Sequence, residues 1–251
     1  MRYAILADIH GNAEALTAVL GGLASQSIDQ YLCLGDVVGY GADPLACLQR
    51  LQALKAIMVM GNHEQACLGR LELSWFNDMA RAALQWTRDQ LSSLDLDVLR
   101  RLPLTLTVGP CTLVHGSLCY PQRFAYVVDV AQAVESLMSC RTLLCLAGHT
   151  HLPCVVEYDR ARHQVGRVLS TSQELASVPF IDDAATMRYF LNPGSVGQPR
   201  DGDPRASVAV IDTQAHTIQV HRIAYDVAAA QAKIRRAGLP EFLAARLALG
   251  R

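Results

Sequence analysis

The chain has 251 residues, 51% hydrophobic and 18% charged, with a formal net charge of −1. That is enough for one large domain or two small ones with a sizeable core, and it lacks the basic footprint of a non-specific nucleic-acid binder. No run of eighteen apolar residues offers a membrane span and the N-terminus has no signal-peptide layout, so a cytoplasmic protein is expected.

Residues 3–7 form an apolar run that ends in Asp8-Ile9-His10-Gly11-Asn12. A strand stopping there points Asp8 and His10 the same way, with Ile9 opposite, because side chains alternate along a strand. Helical spacing follows over 13–25, with Asn12 placed to cap it and Gly21-Gly22 weakening its end. A short buried strand over 31–34 ends at Gly35-Asp36. Asp43-Pro44 then signals a helix over 44–54, since proline suits the first helical position. The third strand, 56–60, ends at Gly61-Asn62-His63-Glu64. Alternating strands and helices with a polar cluster after each strand predict a largely parallel sheet. Its ligand site belongs at the carboxyl ends of the strands.

Residues 64–101 read as helical in two or three pieces, with Trp75, Phe76, Leu84 and Trp86 expected in the core. From residue 104 the character changes. Segments 104–108 and 112–114 flank Gly109-Pro110 as a hairpin, and the second of them ends in His115-Gly116-Ser117. A helix is predicted over 129–140, then a buried strand over 143–147 ending at Gly148-His149-Thr150-His151. Short β segments follow near 154–158, 165–170, 187–191, 206–212 and 217–223, and helices over 226–236 and 240–249. No repeat or linker interrupts the chain. The expected organisation is one domain, 1–251, in which two packed sheets are covered by helices.

Five of the eight histidines, His10, His63, His115, His149 and His151, fall at strand ends, each with a glycine within three residues. Asp8, Asp36 and Asn62 occupy equivalent places. Burying these groups together unpaired would cost several kcal/mol or more, a cost that a metal centre removes. Nitrogen and oxygen donors in this number exceed one tetrahedral zinc. They suit two divalent ions of the Mn, Fe, Zn, Ni or Co class sharing a carboxylate. The eight cysteines form no C-x-x-C pair and read as reduced, buried thiols rather than zinc ligands.

The blocks Asp8-x-His10, Gly35-Asp36, Gly61-Asn62-His63-Glu64, His115 and Gly148-His149-Thr150-His151, followed by Asn192-Pro193-Gly194-Ser195, resemble the calcineurin-like metallophosphoesterase superfamily. The resemblance implies an α/β four-layer α-β-β-α sandwich of two mixed sheets flanked by helices. It implies Asp8, His10, Asp36 and His151 around one metal and Asp36, Asn62, His115 and His149 around the other, with manganese the ion of choice in assay. His63 is implied to face the substrate and to act on the phosphoryl and leaving oxygens, with a metal-activated water as the attacking group. Glu64 reads as a helix cap or as a catalytic group, and Asn12 as a cap or a phosphate contact. Arg200 reads as a phosphate contact or as an exposed arginine.

The second block departs from that of the serine/threonine protein phosphatases. Gly35-Asp36-Val37-Val38-Gly39-Tyr40-Gly41 has neither the aspartate that pairs with the catalytic histidine nor the arginine that grips phosphate. It looks like a small prokaryotic phosphoesterase or phosphodiesterase branch. The expected substrate is a small soluble phosphate ester of nucleotide type, with a dinucleoside polyphosphate as the neighbouring alternative. A non-catalytic scaffold is the competing class, disfavoured because every ligand position and His63 are present. Specificity is expected from 64–101 and from 117–129, which carries Tyr120, Arg123, Phe124 and Tyr126.

Overall fold

The computed structural model describes residues 1–170 and 175–251. The N-terminal part alternates strand and helix: β1 (Arg2–Leu6), α1 (Ala13–Leu23), β2 (Gln30–Cys33), α2 (Pro44–Ala53) and β3 (Ile57–Met58). Three helices follow, α3 (Asn62–Cys67), α4 (Asp78–Gln90) and α5 (Ser93–Arg100), with a 3-10 turn at Leu73–Trp75. Then come β4 (Thr105–Val108), β5 (Cys111–Val114), α6 (Val130–Ser139) and β6 (Leu144–Leu146). The remainder is β7 (Cys154–Asp159), β8 (Gln164–Ser170), β9 (Leu175–Pro179), β10 (Met187–Asn192), β11 (Ala206–Asp212), β12 (Thr217–Ile223), α7 (Val227–Arg236) and α8 (Glu241–Ala245).

The strands form two mixed sheets of six, ordered β3-β2-β1-β11-β12-β9 and β4-β5-β6-β10-β7-β8. β1, β2 and β3 run parallel, as strand–helix–strand connections require, and β11 closes antiparallel on β1. In the second sheet β6 lies parallel between β5 and β10. Alternation along the strands sends residues to two different cores. Tyr3, Ile5 and Ala7 face Leu113, Leu144 and Tyr189 between the sheets. Ala4 and Leu6 face α1 and α2 through Leu16, Val19 and Leu48. On the outer side of the second sheet, Cys145 and Phe190 meet Ala133 and Leu137 of α6. The result is the four-layer α-β-β-α sandwich.

Most elements lie where the sequence places them, and the exceptions have local causes. β3 is only two residues long, because Val59 N–H donates to Cys33 and Met60 N–H is taken by Pro103, turning the chain towards α3. α1 continues through Gly21 and Gly22, and the bare Cα of Gly22 makes room for Ile223 of β12. β9, which pairs with β12, was not expected. Of the aromatics assigned to the core, Leu84's neighbour Trp86 is half-buried against the C-terminal helices, but Trp75 is 72% exposed. The 3-10 turn is too short to bury a face, so Trp75 is left outside it. Six of the eight thiols are buried and none is in a disulfide. Among the described residues no helix is long and apolar enough to cross a membrane.

Candidate metal centre

The predicted site residues come from five strand ends and converge on one rim. Asp8 and His10 follow β1, Asp36 follows β2, and Asn62 and His63 open α3 after β3. His115 follows β5, and His149 and His151 follow β6. His115 and Asp8 are fully buried, and His10, Asp36 and His151 are almost so.

The backbone is unusual just there. Asp8, His10, Asp36, His149 and His151 all have positive φ, between 49° and 69°. A left-handed conformation costs an L-residue on the order of 1–2 kcal/mol. Five such residues on one rim concentrate strain at the convergence point, the usual mark of a functional site. The turns they make aim the side chains inward after the strands have ended.

Two sets of donor atoms result. In one, His10 Nε2 lies 3.2 Å from His151 Nε2, which lies 3.4 Å from Asp8 Oδ1. In the other, His115 Nε2 lies 3.0 Å from Asn62 Oδ1, 3.0 Å from His149 Nδ1 and 3.3 Å from Asp36 Oδ2. Asp36 Oδ2 is also 3.7 Å from His10 Nε2, so one carboxylate oxygen faces both sets. His63 Nε2 stands further off, 3.9 Å from the same oxygen.

The outer ring nitrogens fix the tautomers. His10 Nδ1 donates to Val38 O at 3.1 Å, His115 Nδ1 to Leu34 O at 2.8 Å, and His151 Nδ1 to Gln198 O at 2.6 Å. The Nε2 atoms of His10 and His151 therefore turn lone pairs inward, the arrangement that prepares an imidazole for a metal, and His115 would do so once the proton it holds against Asp36 is displaced. Lone pairs of His10 and His151 facing each other at 3.2 Å repel unless a cation or a proton lies between them. Protons are disfavoured: burial, then His63, holds His10 well below the usual imidazole range, and burial also lowers His151 and His149. Burial works against charge on Asp36 and His115 as well. Their mutual attraction overrides it, keeping Asp36 well below the carboxylate range and lifting His115 to about 9. An all-nitrogen-and-oxygen donor set with inward lone pairs and a shared carboxylate fits divalent cations.

Several residues support this arrangement. Glu64 is fully buried, and its carboxylate accepts from the backbone N–H groups of Asp36, Val37 and Gly61 at 2.8 Å and of Val38 at 3.2 Å. It caps α3 as one sequence reading had it, but it also ties down the loop that carries Asp36. Asn192 donates to Gly148 O and Thr150 Oγ1, and Ser195 Oγ donates to Asp8 O, so the Asn192–Ser195 loop braces two ligand-bearing turns.

Asn12 takes the capping role that one reading of the sequence gave it. Its Oδ1 accepts from Ala15 N–H to cap α1, and its Nδ2 donates to Gly197 O.

His63 has an unexpected setting. Its backbone N–H donates to Asp36 Oδ1 at 2.9 Å, and its ring packs between Tyr40, His10 and Phe76. Nδ1 is buried with no hydrogen-bond partner. It lies against Gly39, whose φ is +86° and where a Cβ would come within 2.1 Å of that nitrogen. Burial lowers His63 to about 4. Sequence reasoning missed Tyr40, whose ring touches both His10 and His63 and whose φ is +59°. The only signal was an aromatic residue between two glycines straight after the second block.

Above the cluster lies an open cleft of about 360 Å³, walled by Tyr40, Phe76, Phe124, Tyr126 and Arg200. Tyr126 stacks on His149 at 3.9 Å, and Phe124 meets His115 edge-on at 6.0 Å. Arg200 lies over Tyr40 at 5.9 Å and is steadied by Gln198 Oε1 at 2.9 Å. It is thus at the rim, in reach of a ligand above the cluster.

A β-sandwich that gathers imidazoles and carboxylates from its strand ends into one rim is the architecture of a metallophosphoesterase. The chain belongs to the calcineurin-like phosphoesterase superfamily, whose domain model matches residues 1–216. It is 38% identical to a metallophosphoesterase from Sphaerobacter thermophilus, with a TM-score of 0.84 and 100% of each chain covered. It is 34% identical over 252 residues to an uncharacterised protein of Methanocaldococcus jannaschii, covering 99% of this chain and 98% of that one. A hypothetical protein of Pyrococcus horikoshii shares the fold, with a TM-score of 0.77 at 20% identity, covering 100% and 98% of the two chains.

Proposed function

We propose that the chain is a dinuclear metal-dependent phosphodiesterase acting on a small soluble ester of nucleotide type. Asp8, His10, Asp36 and His151 hold one ion, and Asp36, Asn62, His115 and His149 hold the other. The observation that carries this reading is Asp36 Oδ2, which faces His10 at 3.7 Å and His115 at 3.3 Å and so serves both donor sets. Divalent ions held there supply positive charge for the phosphoryl oxygens and lower the pKa of water towards ~7.

The protein's own groups do the rest. The two carboxylates and the inward imidazole lone pairs hold position without rearrangement, because the outer nitrogens and Glu64 already fix them. His63 is neutral near pH 7. An N–H at its buried Nδ1 would have no acceptor, an unsatisfied donor costing ~1–3 kcal/mol, so the proton belongs on Nε2, facing the cleft. From there it donates to a phosphoryl or leaving-group oxygen. Arg200 at the rim adds a second donor for the phosphate.

A protein-phosphatase reading is disfavoured by the same histidine. Among the described residues no carboxylate pairs with His63 Nδ1, and Val37 and Val38 are buried in the core. The test is hydrolysis of bis-(p-nitrophenyl) phosphate and p-nitrophenyl phosphate by Mn²⁺-loaded protein, beside the His63→Ala variant. Diester cleavage that collapses in the variant at equal metal content supports the reading. No turnover of any phosphoester, or turnover indifferent to His63, removes it.

A further inference from the structure

The cleft has an aromatic rim that the phosphoryl chemistry does not use. We propose that Trp75, with Phe76 beside it, is a stacking subsite for the nucleobase of a phosphoester whose phosphate sits over the histidine–aspartate cluster. This rests on the phosphodiesterase reading and adds the residue that recognises the ester's organic group.

Trp75 lines the cleft yet is 72% exposed, whereas its chain neighbour Phe76 packs edge-on against His63 at 5.5 Å. The two residues therefore connect the solvent edge of the cleft to the candidate catalytic histidine. Among the described residues no aromatic ring or cation packs on the Trp75 indole. The 3-10 turn Leu73–Trp75 is held by Trp75 N–H to Glu72 O and Phe76 N–H to Leu73 O, so the indole is presented from a hydrogen-bonded turn.

The charge on the cleft matches such a ligand. Arg200 and Arg123 both line it, and among the described residues neither pairs with a carboxylate. Arg123 instead lies over the Tyr120 ring at 4.9 Å. A ligand that is anionic at the cluster and flat and apolar at the rim satisfies both. Nucleotides have that character, and their bases stack on exposed aromatic side chains whatever their sequence identity. A sugar or glycerol ester offers no aromatic face to the indole, and a lipid chain would want more continuous apolar surface than one turn provides.

The test uses zinc-loaded protein with AMP and ribose 5-phosphate, which share a phosphate and differ in the base. Binding is read by calorimetry. It is also read by Trp75 emission in a Trp86→Phe background, since the chain has two tryptophans. AMP is expected to quench Trp75 saturably and ribose 5-phosphate not to. Trp75→Ala is expected to weaken AMP by about 5- to 150-fold and leave ribose 5-phosphate unchanged, while Trp75→Phe keeps most of the affinity. If Trp75→Ala weakens both ligands equally, or neither, the subsite is overturned while phosphodiester turnover leaves the proposed function standing. If neither ligand binds and no phosphoester is cleaved, both fall.

Discussion

Glu64 offers the sharpest check on how the site is held. Glu64→Gln keeps size and shape but exchanges one carboxylate oxygen for an amide NH₂. Oε1 accepts from Val37 and Val38, and Oε2 from Asp36 and Gly61. Whichever way the glutamine amide lies, its NH₂ meets two N–H donors and orphans them. Each buried donor left unsatisfied costs ~1–3 kcal/mol, so the variant should lose about 2–6 kcal/mol. For a chain of this size that lowers Tm by roughly 2–4 °C per kcal/mol. The assay is urea and thermal unfolding of wild type and variant, both metal-free, followed by metal content after reloading. Because the same carboxylate anchors the loop of Asp36, weaker metal retention should accompany the lost stability.

The competing force is burial, which with Asp36 pushes Glu64 up to about 7. A carboxyl whose folded pKa is raised binds more protons folded than unfolded between its ordinary value of ~4.3 and about 7. Its contribution is then complete below ~4.3 and is lost as pH rises through about 7. Because His10, His63, His149 and His151 are held below the imidazole range and act with the opposite sign, the expected readout is the wild-type minus Glu64→Gln stability difference in metal-free protein, which should shrink over that window. A Glu64→Gln variant within ~1 kcal/mol of wild type at pH 8, with full metal retention, would refute the four-donor argument.

Gly39→Ala places a Cβ 2.1 Å from His63 Nδ1 on a residue with φ of +86°, so it should cost more than ~1 kcal/mol and depress kcat while metal content stays near wild type. Chelation should lower Tm, and re-adding Mn²⁺ should raise it with concentration as RT ln(1 + [Mn]/Kd), measured by differential scanning fluorimetry. Native protein treated with a thiol reagent at pH 8 should be modified first at the half-buried Cys119, since burial pushes the thiol of Cys154 up to about 11. Burial pushes Cys67 and Cys111 up to about 12, so these should react only on unfolding, whereas Cys140, lowered to about 5 chiefly by its hydrogen bond with Cys145, is shielded by burial alone.

Much of the candidate site was legible because each of its blocks is local. Asp8 and His10 follow one strand, and a strand's alternation and its terminal residues are written in a few consecutive letters. The same holds for Asp36, for Asn62-His63, for His115 and for His149-x-His151. Hydrophobic periodicity likewise located most strands and helices, and β9 escaped because its run has little to distinguish it from a loop. Glu64 was read only as far as its own helix, because three of its four donors lie 26 to 28 residues earlier in the chain. Asn12 was ambiguous for the same reason, since its second partner, Gly197, is 185 residues away.

The sequence by itself determined which donor atoms are available and that they stand at strand ends. Only the tertiary structure decided that the five ends meet, which ring nitrogens point inward, and that one oxygen of Asp36 faces both donor sets. It also decided that Trp75 stays outside the core while Phe76 turns in to His63. The physical reason is that side-chain type and strand phase are properties of short segments. Convergence, left-handed turns and tautomers are imposed by partners that the chain reaches only after two sheets have packed.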